Sequence, residues 1–150
     1  MITRYIQKIV FVLLLFVSQL IHAQTYPVQA VPTVTSPYSS KLTDYSNAFV
    51  NRINLQLITT DLLVQNRPAM LQLRIQGNGI NAQSAPIVSG IPPIYLNGGE
   101  ILSLTSADLA GYFRFQNLQG ITTTRYSEPL PDGVYTICFQ VYDMVTKKWL

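Results

Sequence analysis

Histidine is all but missing from this chain: the single one, His22, lies in an apolar N-terminal stretch that reads as a leader. The rest has no imidazole, which removes Ser-His-Asp and Cys-His catalysis and the usual zinc sites. Cysteine is equally scarce. Cys138 stands alone, so it cannot build a thiolate cluster, and as a nucleophile it lacks a histidine base. Charge is sparse too, with 11% Asp, Glu, Lys and Arg. Only Lys147 and Lys148 are adjacent bases, and a solvated turn explains them; nucleic-acid binding has no electrostatic footprint. Gly77-Asn78-Gly79 lacks the third glycine and the following helix that a phosphate cradle needs. No Asp-x-Asp-x-Asp cluster suits calcium. The carboxylates Asp44, Asp61, Glu100, Asp108, Glu128, Asp132 and Asp143 mostly fall in turns or at element ends, where backbone hydrogen bonding favours them. Two of them converging in a cleft is the one arrangement that would suit glycoside hydrolysis. No cofactor and no enzymatic activity are expected.

What the N-terminus does contain is an ordered set of export features. Arg4 and Lys8 form a positive region, Ile9 to Val17 is unbroken apolar sequence, and His22-Ala23 precedes Gln24. This is the layout of a secretory signal peptide over residues 1–23, with cleavage between Ala23 and Gln24. The rival reading is an uncleaved membrane anchor. Ile9–Ile21 would give a helix only about 20 Å long against roughly 30 Å of hydrocarbon, which disfavours it. Two of the ten Lys/Arg belong to this leader, so the remainder carries eight against seven Asp/Glu, a net charge of +1. The remaining 127 residues of the 150 are enough for one domain with a real core.

Residues 24–48 are rich in Pro, Ser, Thr and Tyr, with Pro27, Pro32 and Pro37 at intervals of five. They read as an extended linker, the alternative being an edge strand around Val28–Val34. Residues 49–150 then show period-two alternation. Ile53, Leu55 and Leu57 alternate with Asn54 and Gln56, and Leu71, Leu73 and Ile75 alternate with Gln72, Arg74 and Gln76, so one set faces a core and the other water. Gly77-Asn78-Gly79 is a turn, and 81–93 reads as a loop by composition. Asn97-Gly98-Gly99-Glu100 between Ile94-Tyr95-Leu96 and Ile101–Leu104 predicts a hairpin. Ser106 is expected to cap a helical turn. Tyr112–Phe115 and Thr122–Arg125 are short strand candidates. After the turn Pro131-Asp132-Gly133, a strand over Val134–Asp143 puts Tyr135, Ile137, Phe139 and Val141 on the core face. Thr136, Cys138, Gln140 and Tyr142 take the other face. No helical stretch of ten residues occurs outside the leader. Short strands between turn signals predict an all-β antiparallel sandwich of immunoglobulin or fibronectin-III-like type.

Met144–Lys148 reads as a turn, and Trp149-Leu150 as the start of a further strand. The expectation is a sandwich lacking most of its last strand, with the disulfide partner of Cys138 beyond Leu150. Three stretches carry a resemblance. They are Ser36-Pro37-Tyr38-Ser39 followed by Leu42 and Asp44-Tyr45, then Ala107-Asp108-Leu109 followed by Tyr112-Phe113, then Leu130-Pro131-Asp132-Gly133-Val134-Tyr135 leading into Cys138. In this order they resemble the N-terminal region of large exported Bacteroidota proteins with fibronectin-type-III-like or immunoglobulin-like modules, of the TANFOR-domain kind. The resemblance implies a surface or secreted location and a longer natural chain, and it supplies no catalytic residues. Immunoglobulin domains place a tyrosine two residues before the second cysteine; here Tyr135 lies three before Cys138.

Two functions fit. The first is a non-catalytic structural or adhesion module of an exported cell-envelope or secreted protein, located at the outer membrane surface, in the periplasm or outside the cell. Its partners would be other domains of a longer parent chain or envelope proteins, with the membrane involved only through an uncleaved leader. The second is a carbohydrate-binding module of a larger secreted enzyme. Tyr95, Tyr112, Tyr126 and Trp149 are the candidates for an aromatic contact surface, coplanar exposed rings favouring the glycan reading.

Overall fold

The computed structural model describes residues 28–36 and 38–150. The leader over 1–23 and its cut between Ala23 and Gln24 lie outside the described residues. Nine strands are present among those described: β1 (Val28–Val34), β2 (Ile53–Thr59), β3 (Arg67–Gly77), β4 (Ile80–Ser84), β5 (Ile94–Leu96), β6 (Ile101–Leu104), β7 (Leu118–Gln119), β8 (Thr136–Asp143) and β9 (Lys148–Trp149). They form two sheets in which every pairing is antiparallel. One sheet has the order β1-β2-β6; the other has the order β7-β4-β3-β8-β9, with β5 pairing the start of β3. The described residues are mostly β, in antiparallel sheets with a few helical turns, as the alternation predicts.

That alternation places the core. Ile53, Leu55 and Leu57 of β2 are fully buried while Arg52, Asn54 and Gln56 are exposed. Leu71, Leu73 and Ile75 of β3 and Phe139 and Val141 of β8 join them in one cluster. Burial of each such side chain contributes roughly 1.5–3 kcal/mol. Leu42, Leu109, Tyr112 and Phe113, all on helical turns, belong to the same cluster. Gln72 departs from the expected pattern. It is buried although it lies on the outer face of β3, and its Nε2 donates to Ser84 O at 2.8 Å, as a buried amide must.

Several expectations are corrected. The segment read as a linker over 24–48 is part of the domain wherever it is described. Val28–Val34 pairs residue for residue with Thr59–Ile53, and Val28, Ala30 and Leu42 pack on the core. Pro32 is tolerated because β1 is an edge strand and one side of it needs no N–H. The stretch 81–93 begins with a strand: Ile80–Ser84 folds back on β3 through the Gly77–Gly79 turn. Tyr112–Phe115 and Thr122–Arg125 are not strands. Ala110–Phe113 and Phe115–Asn117 form 3-10 turns, and Thr123–Ser127 forms a helical turn capped by Thr122, whose Oγ1 accepts from the Arg125 N–H at 3.2 Å. The Ser106–Leu109 turn exists, but its cap is Thr105: the Asp108 carboxylate accepts from the Thr105 N–H and hydroxyl, both at 2.7 Å.

The hairpin expected around Asn97–Glu100 is also absent. β5 belongs to one sheet and β6 to the other, so this turn carries the chain across the sandwich. Gly98 N–H donates to Val64 O at 2.7 Å and Gly99 N–H to Thr59 O at 2.7 Å. A Cβ on Gly98 would overlap the Asp61 carbonyl and come within 2.6 Å of Leu62 Cα. Gly98 is needed for close approach of two chain segments, while Gly99, at a φ of 76°, makes a reversal closed by the Glu100 N–H on Asn97 O at 3.3 Å. At the end of the chain, the expected strand start is formed: Tyr142 pairs with Trp149 and Asp143 with Lys148.

Candidate contact surface

The register of the larger sheet brings aromatic side chains to its outer face. Tyr95 on β5 stands opposite Pro68 on β3. Two residues further along the same face of β3, Met70 stands opposite Tyr142 on β8, and Tyr142 opposite Trp149 on β9. Side chains two apart share a face, so Tyr95, Tyr142 and Trp149 lie on one side of the sheet. Three inter-strand steps and the two-residue offset along β3 put Tyr95 and Trp149 about 16 Å apart across it. Tyr95 is 50% exposed and Trp149 40%. The Tyr142 and Trp149 rings meet edge to face, with centroids 5.0 Å apart and planes at 62°, a geometry their quadrupoles favour.

The other two aromatic candidates do not belong here. Tyr112 is 2% exposed and Tyr126 8%. Burial pushes the Tyr112 phenol up to about 12, against the opposing effect of its hydrogen bond to the Leu71 backbone. The Tyr126 ring packs on Phe115 at 5.3 Å. Both rings sit on helical turns, where the expected strand alternation does not apply. Tyr142 is not one of the four aromatic candidates, although the alternation of β8 places it on the outer face.

A buried carboxylate fixes the β8–β9 turn and with it the position of Trp149. The Asp143 side chain has no solvent exposure and pairs with Arg67 at 2.8 Å. It also accepts from Thr146 Oγ1 at 2.6 Å, from the Val145 N–H at 2.8 Å and from the Thr146 N–H at 3.3 Å. Burial alone would raise its pKa; the Arg67 guanidinium and the three donors of the turn outweigh burial and hold it at about 2. Lys147 completes the turn at a φ of 56°. Nothing in local sequence pairs Arg67 with Asp143; the β3–β8 register does.

No family model matches this chain, nor does any curated protein or solved structure. The chemistry must therefore be read from the site itself. Among the described residues no group of three or more His, Cys, Asp or Glu is placed to hold a metal ion. Cys138 is a free, half-buried thiol on the outer face, opposite Arg74, away from the core as its place in the alternation predicts. Two concavities stand out among the described residues. One of about 310 Å³ lies beside Gly90–Ile94 and includes Asp108 and Arg114, but Asp108 is engaged in the Thr105 cap. The other, about 650 Å³, opens between β1 and β8, with Val34, Leu42, Ile53, Ile75 and Ile137 in its walls.

Proposed function

We propose that this chain is an exported, non-catalytic interaction module with a fibronectin-III-like sandwich, acting at the cell envelope or outside the cell. The strand order supports the fold reading. β1-β2-β6 against β4-β3-β8-β9 corresponds to the A-B-E and C′-C-F-G sheets of that sandwich, with β5 and β7 as additions. Tyr135 supports it as well: its hydroxyl donates to Pro131 O at 2.8 Å, four residues upstream and just before β8. That is the hydrogen bond of a tyrosine corner, made here despite the different spacing to Cys138. The leader of residues 1–23 supports export.

The observation that carries the interaction reading is the placement of Tyr95, Tyr142 and Trp149 on the outer face of the larger sheet, Tyr95 and Trp149 exposed and Tyr142 half-buried. Exposed large rings supply contact area at low entropic cost, and they concentrate at binding surfaces. Its partners on this reading are envelope proteins or neighbouring domains of a longer parent chain. A carbohydrate-binding module is the second reading. It is weakened because a pyranose stacks on a flat ring, whereas the edge of one ring in the Tyr142–Trp149 pair meets the face of the other. Glycan-array screening of the protein and of Trp149→Ala separates the two. No Trp149-dependent signal is expected; binding to a defined glycan that Trp149→Ala abolishes would replace the interaction reading with the carbohydrate one. N-terminal sequencing of the protein recovered from an exporting host tests delivery. The mature chain is expected to start at Gln24, and a chain starting at Met1 in the membrane fraction would favour the anchor.

A further inference from the structure

The hollow of about 310 Å³ lies where β5 and β6 form the edges of their sheets, on the side of the sandwich away from β1 and β9. Leu71 and Leu109 are fully buried behind it. Ile91, Ile94 and Leu104 around it are only half-buried, so each keeps apolar surface uncovered. Its walls are set before anything binds. The Tyr112 hydroxyl bonds the Leu71 backbone, and Asn117 Nδ2 donates to Gly111 O at 2.7 Å. Pro92 and Pro93 stiffen the strap that carries Ile91. Gly111 lies close against that strap: a Cβ there would come within 3.1 Å of Ile91 Cδ1.

Two opposite charges border the same hollow, Asp108 and Arg114. Asp108 uses one oxygen, Oδ2, for both Thr105 donors, and nothing among the described residues donates to its Oδ1. The cap therefore fixes the carboxylate and leaves one of its oxygens open. Arg114 stands at the break between the 3-10 turns Ala110–Phe113 and Phe115–Asn117, in extended backbone at φ −63° and ψ 139°. Among the described residues its side chain has no ion pair or hydrogen bond. A fixed acceptor and an unengaged guanidinium beside uncovered aliphatic surface complement a zwitterion with an oily side chain. A space of 310 Å³ equals about ten waters' share of liquid, the bulk of one branched amino acid rather than of a peptide.

We propose that this hollow binds a free α-amino acid with a branched aliphatic side chain. The α-carboxylate meets the Arg114 guanidinium, a charge-assisted contact that can be bidentate. The α-ammonium donates to Asp108 Oδ1. The side chain covers the exposed parts of Ile91, Ile94 and Leu104, and that burial supplies the apolar share of the affinity. Walls already held by hydrogen bonds keep the ordering cost of binding low. The site uses none of Tyr95, Tyr142 or Trp149 and does not depend on where the chain is delivered, so its failure leaves the interaction reading standing.

The test titrates isotope-labelled protein, recovered from an exporting host, with L-leucine while NMR follows the Ile91 and Gly111 amides. Saturating shifts at both are expected at millimolar leucine or below. Two analogues each lack one charge and leave the protein untouched: 4-methylpentanoate has no ammonium and 3-methylbutylamine has no carboxylate. Each is expected to bind at least about tenfold more weakly than leucine. Arg114 is exposed, so Arg114→Gln should fold normally; it is expected to weaken leucine by at least about tenfold and leave the amine unchanged. Lys148→Gln, on the far side of the sandwich, should bind leucine as the parent protein does. No saturating shift at about 20 mM leucine, a level that would fill any site of millimolar affinity, would overturn the proposal. So would equal affinity for leucine and its two analogues, which would make the hollow an apolar dent. Undiminished leucine binding by Arg114→Gln would do the same.

Discussion

Asp143 shows how much one side chain can organise. Its carboxylate is fully buried yet ionised, because Arg67, Thr146 and two backbone N–H groups converge on it. Asp143→Asn removes the carboxylate charge that pairs with the Arg67 guanidinium. We expect a loss of about 2 kcal/mol, a discounted figure because Arg67 keeps some access to water, measured by urea unfolding at pH 7. The pH dependence follows from the depressed pKa of about 2 against an ordinary value of 3.8. The unfolded chain takes up the proton first as pH falls, so the stabilisation is complete above the unfolded value and is lost as pH drops through the folded one. The stability difference between the protein and Asp143→Asn should thus be flat above about pH 5 and shrink between about pH 4 and pH 2. A difference that instead grew toward pH 2 would contradict this assignment. Local sequence offers no warning of this site, since the two charged partners are 76 residues apart.

At the level of elements, what could be read from sequence divides by whether the residues interact with their neighbours or with distant segments. The alternation of Ile53-Leu55-Leu57 and of Ile137-Phe139-Val141 is a local signal, and β2 and β8 follow it. Tyr112-Phe113 and Thr122–Arg125 have β-favouring composition, yet form helical turns. Phe113 and Tyr112 are both buried, a requirement that a two-faced strand at the surface would not meet. Asn97-Gly98-Gly99 has the composition of a hairpin turn and does reverse the chain, but between strands of different sheets, and the approach of the Asp61–Val64 segment puts Gly98 to another use. Gly98→Ala tests that account. The methyl group would meet main chain on the Asp61–Leu62 side, and no side chain can rotate away to relieve it. A loss of about 3 kcal/mol is expected by chemical denaturation; a loss under about 0.5 kcal/mol, typical of an ordinary surface turn, would show that the approach is looser than described. The aromatic surface was half legible for the same reason. Tyr95 and Trp149 are on strands and emerge on the outer face, while Tyr112 and Tyr126 are on turns that face inward.

For the whole molecule, the sandwich depends on pairings that no window of sequence contains. β3 meets β8 with Ala69 opposite Asp143, and β2 meets β6 with Leu55 opposite Leu104. Period-two patterning predicts sheets, but the choice of partner is made by loop closure and by fit between two inner faces, which is why the larger sheet's order could not be read in advance. The same topology sets the folding rate. Closing the long β3–β8 loop costs chain entropy before the contacts of Leu71, Leu73, Phe139 and Val141 can offset it. Refolding by stopped-flow fluorescence of the single Trp149 should therefore take milliseconds to seconds, as in other sandwiches dominated by non-local pairs. Trp149 reports on the step that matters, because its ring meets Tyr142 only after β8 and β9 have paired. Leu73→Ala, at the middle of the β3–β8 pairing, should slow that phase in proportion to how far the two strands have met at the barrier. A microsecond phase unaffected by Leu73→Ala would mean that Trp149 docks through the local β8–β9 turn alone. The Asp143 cluster would then fold as an independent unit ahead of the sandwich.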